Sequence, residues 1–152
     1  MIQRKQTLFL LIALVLNIVC LCLPIGRLVS DMMGADGLMT NLWLQMVDGT
    51  RRFTVWYLFV VLLLSCPLTL WAIFSYKNRP FQSLLCMLGM LCMMLWYVLY
   101  LGVKFLHMAG VEADLQPSFA ACLPFVSLIF YYLARRGVQA DEKLVRSMDR
   151  IR

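Results

Sequence analysis

Four apolar stretches dominate this 152-residue chain: Leu8 to Ile25, Phe53 to Tyr76, Phe81 to Val103, and a shorter one from Phe119 to Ala134. About 20 helical residues, rising about 1.5 Å each, span a hydrocarbon core of about 30 Å. A helix also pairs its backbone polar groups within one segment, which lipid demands. The pattern predicts an all-α integral membrane protein with four transmembrane helices, at about residues 8–25, 53–76, 81–103 and 117–134. Composition agrees, with 62% of residues hydrophobic and only 14% charged, where soluble domains carry roughly 25%. The net charge of +6 lacks a basic stripe interleaved with aromatics, so no nucleic-acid partner is expected and the charge reads as membrane sidedness.

Arg4 and Lys5 give the first stretch the basic start of a signal peptide. The apolar run is longer than a signal core, however, and "CLPIGRLVS" offers no small-x-small cleavage pattern. Cys20 follows Val19 and Cys22 follows Leu21, where a lipoprotein site needs a small residue. The first helix is expected to be retained.

With four spans, both termini share one side. Ten basic residues fall there: Arg4, Lys5, Lys77, Arg79, Arg135, Arg136, Lys143, Arg146, Arg150 and Arg152. Only four, Arg27, Arg51, Arg52 and Lys104, fall on the other side. Positive charge resists translocation, so both termini are expected in the cytoplasm. "KNRP", Lys77 to Pro80, is a tight cytoplasmic turn joining two helices into a hairpin. On the far side, Leu38, Met39, Leu42, Trp43, Met46 and Val47 fit one face of a helix, with Thr40, Asn41, Gln45 and Asp48 largely opposite. That helix would either lie on the outer membrane surface, anchored by Trp43, or cap the bundle.

The spans are poor in chemistry. Transporters and proton relays place ionisable groups at membrane depth, and these four stretches hold none between their ends. Their polar groups are Asn17, Ser65, Thr69, Ser127 and cysteines, read as interhelical hydrogen-bonding groups and small packing residues. Pro67 should kink its helix, with Ser65 and Thr69 available to the freed carbonyls. Cys86, Gly89 and Cys92 would admit a close neighbouring helix. Trp96, Tyr97 and Tyr100 resemble an interfacial aromatic belt. The six cysteines include no Cys-x-x-Cys pair at a water-facing helix start, so they read as buried apolar groups rather than a redox centre. The methionines read as packing and the lone His107 as a solvated loop residue. No cofactor, metal or catalytic residue is expected.

After the fourth span, Gly137 reads as a helix stop and Asp141 as the N-cap of a short amphipathic cytoplasmic helix within a tail of residues 135–152. Leu144, Val145, Met148 and Ile151 form its apolar stripe, and Glu142 to Arg146 is a favourable i, i+4 ion pair. Twelve residues are marginal as an isolated helix, so the stripe needs a cover. The anionic inner leaflet is one candidate, but Asp141, Glu142 and Asp149 favour a protein partner or the bundle's own base.

The opening "MIQRKQTLFLLIA", the "LPIG" after the first helix, the "YKNRPFQ" turn and the closing "DEKLVRSMDRIR" together resemble a family of small four-helix membrane proteins of Bacteroidota, known as a domain of unknown function. The resemblance implies a cell inner-membrane location and supplies no activity. The expected role is non-enzymatic association with a membrane or cytoplasmic protein partner. Its candidate docking surface is Lys77, Arg79, Leu144, Val145, Arg146, Met148, Arg150 and Ile151. The alternative is a membrane thiol-redox enzyme linked to quinone, or a small carrier. The charge tally makes one firm prediction: green fluorescent protein fused at either terminus should fluoresce and alkaline phosphatase there should be inactive, and the reverse result would invert the topology.

Overall fold

The computed structural model describes residues 3–30, 37–46, 49–76, 78–107 and 113–149. Its helices are α1 (Gln3–Cys22), α2 (Trp56–Phe74), α3 (Arg79–Gly102) and α4 (Leu123–Asp149). They pack in cyclic order, α1 between α4 and α2, and α3 between α2 and α4. Among the described residues, three segments are long and apolar enough to cross a membrane: Trp56–Phe74, Arg79–Phe105 and Phe119–Val145. The apolar part of α1 is shorter, Gln6–Cys22.

Each helix buries one seam that advances by alternating steps of three and four residues, the geometry of left-handed helical bundles. On α1 it is Gln6, Leu10, Ala13, Asn17 and Cys20; on α2 it is Leu58, Leu62, Ser65, Thr69 and Ala72. On α3 it runs through Gln82, Cys86, Gly89, Met93, Trp96 and Tyr100, and on α4 through Ser127, Tyr131, Ala134, Val138 and Asp141. The opposite faces are apolar too, with Leu11, Val15, Leu64, Trp71, Leu91, Val98 and Ile129 all exposed. A surface of that kind is unstable against water and natural against lipid.

At one end of the bundle the loops form a five-stranded antiparallel sheet in the order β4-β3-β2-β1-β5. Its strands are β1 (Gly26–Ser30), β2 (Gly37–Met39), β3 (Leu44–Gln45), β4 (Arg51–Arg52) and β5 (Ala113–Pro117). This replaces the amphipathic helix expected over residues 38–47. The strand period of two is plain in burial: Leu28, Met39, Leu44 and Leu115 face the bundle, while Arg27, Leu38 and Gln116 face away. Local spacing could not choose between periods because the deciding hydrogen bonds come from far along the chain, with β5 pairing β1 from Gly26↔Pro117 to Ser30↔Ala113. Glycine decides too. Gly49 turns the chain at φ 75° between β3 and β4, and a Cβ on Gly37 would lie 2.6 Å from the Gln45 carbonyl oxygen.

The opposite end, where α1 begins and α4 finishes, is the terminal end. There α4 continues without a break to Asp149, so the separate tail helix starting at Asp141 is corrected. Gly137 does not stop it. Glycine within a helix costs only about 1 kcal/mol relative to alanine, and here its bare backbone admits α1, since a Cβ would lie 3.0 Å from Gln6 Cγ. The α2–α3 turn closes through Asn78 N–H donating to the Ser75 carbonyl at 3.2 Å, with Pro80 in the first turn of α3. Lys77 lies outside the described residues.

Replacing Gly37 by alanine should lower the melting temperature measurably, by the equivalent of about 1–3 kcal/mol for an overpacked contact. Gly102→Ala, whose Cβ would enter open space, should leave melting unchanged or raise it. Equal melting of the two variants would contradict the tight approach of Gly37 to the β3 main chain.

Candidate functional site

Apart from Ser127, which donates to the Pro124 carbonyl of its own helix at 2.9 Å, the buried polar side chains among the described residues fall in three layers along the bundle. The middle layer is organised by Tyr131 of α4, whose ring lies against Gly89 of α3. A Cβ on Gly89 would approach Tyr131 Cε1 to 2.9 Å, so only glycine accommodates the ring. The Tyr131 hydroxyl accepts a hydrogen bond from Asn17 Nδ2 of α1 at 3.0 Å and bonds Thr69 Oγ1 of α2. Because Thr69 donates to the Ser65 carbonyl at 2.6 Å, its oxygen must accept from Tyr131. Asn17 Nδ2 also donates to Ser65 Oγ at 3.2 Å, and Ser65 donates to the Leu62 carbonyl at 2.6 Å. The carbonyl freed by Pro67 is that of Leu63, so Ser65 and Thr69 serve different carbonyls from the expected one. Asn17 Oδ1 and Arg135 Nε are fully sealed from solvent and left without a partner among the described residues.

The layer at the sheet end depends on Asn41, which is 1% exposed although the helical pattern placed it on a polar outer face. Its Nδ2 donates to the Cys20 carbonyl at 2.6 Å, and its Oδ1 accepts from Trp96 Nε1 at 3.2 Å. The amide thus caps an orphan carbonyl in the last turn of α1 and ties it to α3. Trp96 stacks on Tyr100 at 5.2 Å and meets Tyr97 edge-on at 5.1 Å. Trp96 and Tyr100 are buried, so these aromatics are core rather than the expected belt. Trp43 packs edge-on against Phe53 under the Arg51 guanidinium.

The terminal-end layer lies against the docking surface expected from sequence. Gln6 Nε2 donates to Asp141 Oδ2 at 2.7 Å, and Arg79 Nη1 donates to the Asp141 carbonyl at 3.0 Å. These bonds pin the far part of α4 to α1 and to the first turn of α3. Beside them Gln6, Thr7, Tyr76, Arg79, Gln82 and Asp141 line a cavity of about 10 Å³, about the size of one water molecule. Arg79 therefore belongs to this layer. Leu144 and Val145 lie just beyond it, exposed on α4. Arg146 and Met148 are in α4 with side chains outside the description, and Arg150 and Ile151 lie outside the described residues.

Sequence reasoning missed Gln6, Gln82 and Asp141 as a set. The available signal was register: Gln6 precedes Leu10, Ala13 and Asn17 on the seam of α1, and Asp141 follows Ala134 and Val138 on that of α4. Among the cysteines, Cys20 and Cys86 are buried, Cys66 and Cys92 half-buried, and Cys22 and Cys122 exposed, so burial is not general. All six are free thiols. Among the described residues, no group of three or more His, Cys, Asp or Glu stands close enough to hold a metal ion. His107, in the π-helical turn after α3, has its side chain outside the description.

The chain belongs to the family described as domain of unknown function DUF4293, whose model matches residues 2–151. No curated protein matches it.

The middle layer yields a coupled prediction. Tyr131→Phe should destabilise the protein by about 0.6–2 kcal/mol, the scale of one interhelical hydrogen bond in a membrane. Gly89→Ala should cost more, and Gly89→Ala should be tolerated better in a Tyr131→Leu background, where the ring is gone. Additive melting shifts in the double variant would refute the contact.

Proposed function

We propose that this member of DUF4293 is a non-enzymatic, four-span protein of the cell inner membrane, with both termini cytoplasmic, that works by association through its terminal end. The resemblance to Bacteroidota proteins supports that address, and the excess of Lys and Arg at the termini and the α2–α3 turn supports that orientation. Helix α1, 20 residues long, is counted as the fourth span because its seam is continuous with those of the other three.

One observation carries the reading: the unbroken α4, fixed at Asp141. Its 27 residues rise about 40 Å at about 1.5 Å each, roughly 10 Å more than a bilayer core needs. The last turns therefore project from the membrane. Asp141 is bonded to Gln6 and Arg79, so the projection is stiff rather than hinged, and a stiff helix loses little entropy when it docks. Leu144, at 55% exposed, and Val145, at 38%, lie just past the anchor and give a partner an apolar hold. Met148 and Ile151 extend the apolar stripe in sequence, and Lys77, Arg79, Arg146 and Arg150 supply the positive charge of the proposed docking surface.

Crosslinking in native membranes, followed by affinity purification of Leu144→Glu/Val145→Glu protein, tests this. Partner recovery should fall at least about tenfold, as for loss of an interface hot spot, while the melting temperature stays unchanged. An unchanged set of partners would count against the proposal.

A further inference from the structure

The terminal-end cavity is lined by two polar side chains whose hydrogen-bonding capacity is only partly met among the described residues. Asp141 is only 8% exposed, and a buried carboxylate is costly unless it is paired with a cation. Gln6 gives it one hydrogen bond, but Arg79 directs its donor to the main-chain carbonyl, and Asp141 makes no ion pair among the described residues. Gln82 is 4% exposed and lines the same cavity. Its side chain has no hydrogen-bond partner among the described residues, although its backbone N–H serves the helix start.

A primary ammonium answers both needs. It is about as large as a water molecule, carries the charge that Asp141 lacks, and has three N–H donors for acceptors such as the Gln82 amide oxygen and the Tyr76 hydroxyl. A group bearing an anion next to that ammonium would find a second hold at once. Arg79 keeps N–H donors beyond the one on Asp141, and α3 starts there with Pro80 in its first turn and no side-chain cap over its free N–H groups. The site thus presents an acid for a cation and, a few atoms away, a guanidinium and a helix N-terminus for an anion.

The setting favours a lipid. Tyr76, which lines the cavity, is 52% exposed. The same end of the α2–α3 hairpin carries exposed Trp71, Phe74 and Phe81, with Trp71 and Phe81 in edge-on contact at 6.1 Å. Such aromatics sit at the headgroup level of a bilayer. We propose that this cavity binds the headgroup of phosphatidylethanolamine, its ammonium between Asp141 and Gln82 and its phosphate on Arg79. Phosphatidylcholine is excluded because its three methyl groups remove every N–H donor and overfill a water-sized space. Phosphatidylglycerol brings no cation. The inference rests on the membrane-spanning character of the helices and is independent of any partner at Leu144 and Val145.

The test is native mass spectrometry of the full chain, delipidated in detergent and offered equimolar phosphatidylethanolamine, phosphatidylcholine and phosphatidylglycerol. Phosphatidylethanolamine should be retained at least about tenfold over the others, the scale of one hydrogen-bonded charge contact. Asp141→Asn and the near-isosteric Gln82→Met should each abolish the preference without lowering the melting temperature. Equal retention of the three lipids by the native protein overturns the proposal, as does a preference that survives both substitutions. Displacement of bound lipid by an equal concentration of glycerophosphoethanolamine overturns the lipid source in favour of a soluble headgroup. A zero-length crosslink from Asp141 to a protein lysine in native membranes overturns it in favour of a protein ligand.

Discussion

The bundle depends on one tyrosine laid against one glycine. With its ring on Gly89 and its hydroxyl between Asn17 and Thr69, Tyr131 makes a single residue of α4 answerable to the other three helices. In lipid the hydrophobic effect does not choose between neighbouring helices, because a lipid tail is as good a solvent for leucine as another leucine. Close packing and directed hydrogen bonds must supply that choice. The order of donors is fixed as well: each hydroxyl in the middle layer gives one bond and receives one, and the chain ends on carbonyls of α2. A slip of one helix by a single residue would break the ring contact and the hydrogen bonds together, so the layer sets register as much as it adds stability.

How much of this the sequence disclosed depended on contrast. Apolar length marks a helix that crosses lipid, and three long spans are as expected. Apolarity could not mark faces, however, because Leu62 in the core and Leu63 against lipid are the same residue type. Faces are legible in such a chain only through small or polar residues in a three- and four-residue rhythm. Asn17, Ser65, Thr69 and Gly89 carried that signal, whereas Tyr131 hid among the aromatics. The sheet was illegible for a different reason: β1 finds its partner in β5 only after most of the chain has intervened. Gly137 and Asp141 misled because a helix stop and an N-cap use the same residue types that permit close approach and a buried interhelical bond.

The two ends of the bundle solve the problem of helix termini differently. At the sheet end, Asn41 is carried into the core by the β2–β3 turn and satisfies a carbonyl of α1, while the sheet lays Leu28, Met39, Leu44 and Leu115 over the helix tips. The backbone closes on itself and turns Arg27 and Gln116 outward. At the terminal end no such lid exists among the described residues. Side chains alone tie α1, α3 and α4 together, and they leave a polar opening. Among the described residues, then, main chain and side chain together close the sheet end, whereas the Asp141 layer keeps a water-sized polar cavity.

The pairing of first with last also has a temporal meaning. Gln6 and Asp141 are 135 positions apart, and the strands paired at the sheet end, β1 and β5, are likewise separated by most of the chain. Synthesis delivers α1 long before α4. Until then Asn17 can reach Ser65 but not Tyr131, and Gln6 has no acid to meet. The nascent protein must hold two buried amides in a greasy surrounding with their final partners still on the ribosome. The ring of four helices therefore closes only once α4 has been made, and a chain stalled before α4 would leave Asn17 and Gln6 without Tyr131 and Asp141.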